Sequence, residues 1–250
     1  MNNELVYGLH SVAALLKRLP ERVLELWFLS SREDERLGAI LEMAKDKCIE
    51  VKSVPKKTLD EMAKGGAHQG VIANVKPSKP TSEAELFAYL ESTDEVPFLL
   101  ILDGVQDPHN LGACFRTADA AGVQAIIVPQ DRACSLTPVV RKVASGACET
   151  VMFVQVPNLV RTMKKLQEQK LWIIGTADQA DEVSLFNVDL SGPIAFVMGA
   201  ESQGLRRLTK QHCDYLVSIP MQGFVSSLNV SVATGVCLFE AVRQRSLGVS

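Results

Sequence analysis

Five short, almost wholly apolar runs in the second half of the chain constrain its fold most. They are Phe98-Leu-Leu-Ile-Leu102, Ala125-Ile-Ile-Val128, Leu171-Trp-Ile-Ile174, Ile194-Ala-Phe-Val197 and Tyr215-Leu-Val-Ser-Ile219. A strand with one wet face alternates apolar and polar residues, whereas these runs stay almost wholly apolar. Strands that read this way are buried on both faces, which predicts a parallel sheet sandwiched between helices. Helical stretches fit between them over 111–121, 139–147, 159–169 and 228–244. Sheets of this class bind ligands beyond the carboxyl ends of their strands, so the residues that follow each run carry the functional question.

The first 76 residues alternate on a smaller scale. Helices are predicted over 11–19 and 34–47, and strands over 23–29, 49–54 and 70–75. The stretch Lys76-Pro77-Ser78-Lys79-Pro80-Thr81-Ser82-Glu83 follows, and its prolines favour an extended connection. Residues 81–95 carry five acids and no base, while 1–80 hold 13 bases against 11 acids and 96–250 hold 13 of each. The expected organisation is a small α/β domain over 1–76, an acidic linker over 77–95 and a parallel-sheet domain over 96–250.

Composition narrows the function classes. Hydrophobic residues at 47% and charged ones at 22% describe a globular chain rather than a disordered one. The opening Met1-Asn2-Asn3-Glu4 has neither a basic start nor an apolar stretch behind it, so a cytoplasmic location without a membrane segment is expected. Six cysteines lie far apart with no C-x-x-C pair, so neither a metal site nor a disulfide framework is expected. A net charge of −3 gives no whole-molecule positive field, and any nucleic acid must be gripped by local patches.

Three strand-end loops stand out. The first run is followed by Asp103-Gly-Val-Gln-Asp-Pro-His-Asn-Leu-Gly-Ala-Cys-Phe-Arg-Thr-Ala-Asp119, where Asp107-Pro108 reads as a turn, Asn110 as a helix cap and Arg116 as a cation one to two turns in. The fourth run is followed by Met198-Gly-Ala-Glu-Ser-Gln-Gly-Leu205, which lacks the Lys-Ser/Thr of a phosphate loop. The fifth leads into Ile219-Pro-Met-Gln-Gly-Phe-Val-Ser-Ser-Leu-Asn-Val-Ser231, an apolar turn ahead of hydroxyls and an amide at a helix start. No strand is followed by G-x-G-x-x-G, which disfavours a dinucleotide-binding dehydrogenase. Taken alone, the loops describe a glycine- and amide-rich pocket for a small polar ligand.

In this order, the three loops resemble the three sequence motifs of the SpoU (TrmH) family of RNA ribose 2′-O-methyltransferases, in the SPOUT superfamily. The likeness spans 98–245, and Val6-Tyr-Gly-Leu-His-Ser-Val with His68-Gln-Gly-Val-Ile-Ala73 resembles the N-terminal substrate-binding domain of members that act on ribosomal RNA. The resemblance implies an α/β chain with an L30e-like N-terminal domain and a C-terminal SPOUT domain closed by a trefoil knot, a topology that residue patterns do not disclose. It implies S-adenosylmethionine as cofactor, 23S rRNA as partner, a guanosine ribose as acceptor, and a homodimer whose active sites draw on both subunits. By the same resemblance Asn110, Arg116, Glu201, Ser227 and Asn229 are the catalytic set, and Met198, Gly199, Ile219, Met221 and Leu228 hold the cofactor. An arginine, whose pKa exceeds about 12, is a poor proton acceptor, so Arg116 is expected to position the target phosphate and hydroxyl. Lys17, Arg18 and Arg22 are candidate phosphate contacts in the first domain. The competing readings are a tRNA guanosine 2′-O-methyltransferase and a non-catalytic RNA-binding assembly factor.

Overall fold

The computed structural model describes residues 3–32, 34–76, 80–177, 183–200 and 204–247. The chain forms two compact units, one of Met1–Lys79 with Ser145–Thr150 and one of Pro80–Ala144 with Val151–Ser250.

The first unit runs β1 (Glu4–Tyr7), α1 (Leu9–Arg18), β2 (Val23–Leu29), α2 (Glu35–Asp46), β3 (Glu50–Val54), α3 (Lys56–Ala63) and β4 (Val71–Val75). Its sheet order is β1-β4-β2-β3, with β2 and β3 parallel and the other pairs antiparallel. The period-two rule divides β4 between two cores. Val71, Ala73 and Val75 pack with Val12, Leu15 and Leu16 of α1 and Leu37 and Ile40 of α2. Ile72 packs with Leu59 and Ala63 of α3. Each fully buried Leu or Ile contributes about 1.5–3 kcal/mol.

The predicted helix over 34–47 begins one residue later, because Asp34 is its cap and accepts from the backbone N–H of Arg36 and Leu37 at 3.1 Å each. β1 and α3 were not among the predicted elements. Two of the three candidate phosphate contacts are engaged elsewhere. Arg22 Nη1 donates to Glu149 Oε2 at 2.6 Å and its Nε and Nη2 donate to Lys76 O, while Arg18 Nη1 donates to Thr150 O at 3.3 Å. Lys17 is exposed.

The second unit runs α4 (Glu83–Ser92), β5 (Phe98–Asp103), α5 (Pro108–Ala121), β6 (Ala125–Pro129), α6 (Pro138–Ala144), β7 (Met152–Val156), α7 (Leu159–Glu168), β8 (Trp172–Thr176), β9 (Val183–Ser184), β10 (Ile194–Gly199), α8 (Arg207–Gln211), β11 (Tyr215–Ser218) and α9 (Val230–Leu247). All pairings in its sheet are parallel, in the order β7-β6-β5-β10-β8-β11-β9. Every residue of β5 and β6 is buried, as their unbroken apolar runs predicted. From β5 the chain steps outward through β6 and β7, then returns to build β8, β10 and β11 on the other side. The strand order therefore reverses between β5 and β10, and the crevice past their carboxyl ends is where such a sheet takes a ligand.

The segment 77–95 differs from the expected acidic linker. Its residues 77–79 lie outside the described residues, and 83–92 form α4, started by a capping box between Ser82 and Glu85. Leu86 is fully buried in the second unit's core, and Glu83 accepts from Thr162 Oγ1 at 2.8 Å and pairs with Lys165 at 3.3 Å. The two acids in the first turn favour the positive end of the helix. β7 was also missed, because Met-Phe-Val-Gln-Val is broken by a polar residue.

Candidate active site

The site grows from the carboxyl ends of β5, β10 and β11. β5 ends on Asp103, whose side chain is fully buried. Asp103 accepts from the backbone N–H of Arg206 at 3.0 Å and from its Nε at 2.5 Å, and Arg206 Nη2 also pairs with it. A carboxylate buried at a strand end needs such a charge-assisted partner, and this one fastens the loop after β10 onto β5. Sequence reasoning did not single out Asp103 or Arg206. The available signal was an acid placed directly at the end of an apolar strand.

Past Asp103 the chain turns through Gly104, at φ +87°, and enters α5. The helix cap is Asp107 and not Asn110: its side chain accepts from the N–H of His109 at 2.6 Å and of Asn110 at 3.1 Å. Pro108 occupies the first helical position, where its fixed φ suits a helix and its missing N–H costs nothing. Asn110 stands in the first turn, so its amide serves the neighbouring loop instead. Gly112 allows α5 to approach α6 closely, since a Cβ there would lie 2.6 Å from Val143 Cβ and 2.9 Å from Val140 O. Arg116 lies on the exposed side of α5, about 9 Å further along the axis than Asn110 at 1.5 Å per residue. Its side chain makes no ion pair among the described residues.

β10 runs beside β5 in register, Met198 opposite Leu102 and Gly199 opposite Asp103. Met198 is 1% exposed, so its side chain belongs to the core and only its backbone faces the strand end. Gly199 has no room for a side chain, because a Cβ would lie 2.2 Å from the carbonyl carbon of Gly204. The loop closes through Gly204 N–H donating to Ala200 O at 2.8 Å. Glu201, with Ser202 and Gln203, lies outside the described residues.

β11 ends at Ser218, and 219–229 cross to α9 without regular structure. Ile219, Met221 and Leu228 are half-buried, and Phe224, Val225 and Ser227 are exposed. α9 starts at Val230, two residues later than predicted, because Asn229 Oδ1 accepts from Ser231 N at 2.9 Å and Ser231 Oγ at 2.6 Å. The Asn229 Nδ2 group donates to Asn110 Oδ1 at 3.0 Å. That bond joins the first and third loops. Behind it α5 and α9 pack closely, with Cys114 Sγ 3.6 Å from Thr234 Oγ1 and room at Gly235 for an approach to Thr117.

A fourth loop, not singled out in the sequence, reaches the same end of the sheet. The N–H of Cys134, between β6 and α6, donates to Val105 O at 3.1 Å. Burial and the nearby negative charge of Asp107 push the Cys134 thiol above its ordinary pKa. The described residues contain no group of three or more potential metal ligands, and none of their helices is long and apolar enough to cross a membrane.

This arrangement suits a nucleoside better than a phosphate. No Lys or Arg lies between Lys210 and Arg243, so the β11–α9 segment offers main-chain groups and apolar side chains with no cation among them. Such a surface can take adenine and ribose, and it does not repel a positively charged sulfonium.

Known proteins agree with this geometry. The SpoU rRNA Methylase family matches residues 97–239, and the RNA 2′-O ribose methyltransferase substrate binding family matches residues 5–81. The 23S rRNA (guanosine-2′-O-)-methyltransferase RlmB of Shewanella oneidensis is 59% identical over 242 residues, covering 97% of this chain and 98% of the relative. The Escherichia coli K12 protein of the same name is 54% identical over 244 residues, covering 98% and 100%. The SpoU methyltransferase AviRb from Streptomyces viridochromogenes, solved in complex with AdoMet, shares the fold with a TM-score of 0.77 at 24% identity, covering 98% of this chain and 92% of that one. The A. aeolicus TrmH/SpoU tRNA modifying enzyme aligns with a TM-score of 0.57 at 30% identity, over 62% of this chain and 78% of its own. With three motif loops gathered at one sheet end and family matches across both units, the chain belongs to the SpoU rRNA methylase family.

Proposed function

We propose that this chain is a methyltransferase that moves a methyl group from S-adenosylmethionine to the ribose 2′-hydroxyl of one guanosine in 23S rRNA. The hydrogen bond from Asn229 to Asn110 carries the reading, because it joins the acceptor-side loop to the cofactor-side loop over the strand ends. Full-length relatives named for this activity support the substrate. A tRNA substrate has less support, since the tRNA modifying relative covers only 62% of this chain.

The cofactor supplies an activated methyl on a sulfonium centre. The chain's task is to hold donor and acceptor in line and to stabilise the hydroxyl as it loses its proton. Gly199, Ile219 and Leu228 would clasp the adenosine through backbone groups, with Met198 and Met221 completing the cofactor set. Asn110 and Asn229 would fix the acceptor through their amides, with Ser227 as a further hydroxyl and Glu201 as the site's carboxylate. The long arm of Arg116 would hold the target phosphate and bring the hydroxyl into position. As a permanent cation, it lowers the cost of a developing alkoxide without accepting the proton.

The wider assignment follows the same reading. Residues 1–76 form an L30e-like RNA grip, the segment 77–95 leads into the second unit and gives it α4, and 96–250 form the rest of the SPOUT domain with its C-terminal knot. The enzyme works in the cytoplasm as a homodimer. In support, α9 exposes Val232 and Phe239, seven residues apart on one stripe, at 53% and 48%.

The test is transfer of labelled methyl from S-adenosylmethionine to unmodified 23S, 16S and transfer RNA offered separately. Label in 23S rRNA alone is expected. Label in tRNA alone keeps the chemistry and overturns the substrate, and absence of both transfer and cofactor binding overturns the activity.

A further inference from the structure

The loop 130–137 belongs to none of the three motifs, yet it is held against the first of them. Gln130 N–H donates to Val156 O at 2.9 Å, and Cys134 N–H donates to Val105 O at 3.1 Å. At its far end Thr137 Oγ1 accepts from Val140 N at 3.3 Å and starts α6, the helix packed closely on Gly112 of α5. The loop is therefore fastened at both ends and its middle.

Within it, Arg132 adopts φ +62°, a left-handed conformation that side chains other than Gly, Asn and Asp rarely take. Its side chain is exposed and makes no hydrogen bond or ion pair among the described residues. A cation held in a disfavoured backbone conformation, with no hydrogen bond or ion pair in return among the described residues, points to a ligand outside the chain. β6 neighbours β5 on the side away from β10 and β11, so Arg132 stands beside the acceptor loop and not beside the cofactor segment.

We infer that Arg132 binds a backbone phosphate of the RNA next to the target nucleotide, as a fourth, acceptor-side wall of the site. The inference rests on the proposed RNA substrate and adds a residue to its recognition. A guanidinium fits a phosphate through paired N–H donors, and such contacts set register without reading sequence.

The test measures binding of a 23S rRNA fragment to the full chain across a salt series, for the parent and for Arg132→Ala, Arg132→Gly and Arg132→Lys, with cofactor affinity and Tm in parallel. Arg132→Ala and Arg132→Gly are expected to weaken RNA binding about three- to tenfold. They should also flatten the slope of log K against log salt by about 0.7–0.9, the loss of one phosphate contact, while Arg132→Lys keeps most of both. Cofactor affinity should not move, and the glycine variant should be at least as stable as the parent because it relieves the left-handed strain. Unchanged RNA affinity and salt slope in both the alanine and glycine variants would overturn the inference. So would weakened binding that tracks a lower Tm with the slope intact, since that marks a structural role. A parent that binds the fragment but transfers no methyl to it would count against the proposed activity and leave the Arg132 measurement standing.

Discussion

The two sides of the site are built differently. On the acceptor side, four residues separate β5 from α5, Asp107 caps the helix, Pro108 opens it, and Asp103 clamps Arg206 beneath it. On the cofactor side, eleven residues separate β11 from α9, most of them exposed, and the described anchor at their end is Asn229. A short capped connection holds side chains in fixed positions, which methyl transfer demands of its acceptor groups. A long open one leaves main-chain groups accessible, which a small cofactor entering from solvent needs. The difference assigns positioning to the β5–α5 side and ligand exchange to the β11–α9 side, with the Asn110–Asn229 bond as the link.

Variants on each side should therefore fail differently. The largest effect is expected at Arg116→Ala, which should cut single-turnover methyl transfer roughly a thousandfold while leaving cofactor affinity by calorimetry unchanged. Retained turnover would remove Arg116 from the positioning side. Gly199→Ala should do the reverse, because its Cβ meets the Gly204 backbone at 2.2 Å. The loop must shift, and we expect a loss of about 1–3 kcal/mol in stability by chemical denaturation together with weakened cofactor binding. Unchanged cofactor affinity would separate this loop from the cofactor side.

Asp103→Ala removes the clamp on Arg206. Since the arginine is partly solvated, the expected cost is about 1–3 kcal/mol rather than that of a fully buried pair, read as a lower denaturation midpoint. Asp107→Ala should cost about 1 kcal/mol, the usual value of a helix cap, and slow transfer more than it weakens cofactor binding. The smallest effect concerns the anchored end of α9. Two hydrogen bonds from Arg243, assisted by one from Gln244, hold the Glu240 carboxyl down at about 2 against an ordinary 4.5. The folded state therefore gains stability from the ionised form above about 4.5, and loses it as the pH falls toward 2. Glu240→Gln should flatten this part of the acid limb of a Tm–pH profile without altering transfer at neutral pH.

The parts of this molecule legible in its sequence were those where one force dominates. β5, β6 and β10 have no polar residue before their last positions, and their burial on both faces follows directly. α3 offers only Leu59, Met62 and Ala63 among charged neighbours, so the sheet that covers it decides its existence more than its own pattern does. The Asp107 cap was signalled by Pro108, because proline favours the first helical turn and so points to the residue before it. Asn110 looked like a cap because it is the right residue type, but it sits three positions too late. The site as a set of residues came from the three motifs and their resemblance, since periodicity alone gave only glycine- and amide-rich loops. The contacts of Asp103 with Arg206 and of Val105 with Cys134 connect residues far apart in the chain, and no local pattern announces them.

The most direct test of the account is to locate the methyl group on the product. Unmodified 23S rRNA, labelled through S-adenosylmethionine by the parent chain, would be hydrolysed in alkali and the labelled fragment identified. A 2′-O-methyl blocks cleavage at its own nucleotide, so the account expects the label in one alkali-stable dinucleotide that begins with guanosine. Label released in ordinary mononucleotides would place the methyl on a base and contradict an acceptor side built for a ribose hydroxyl.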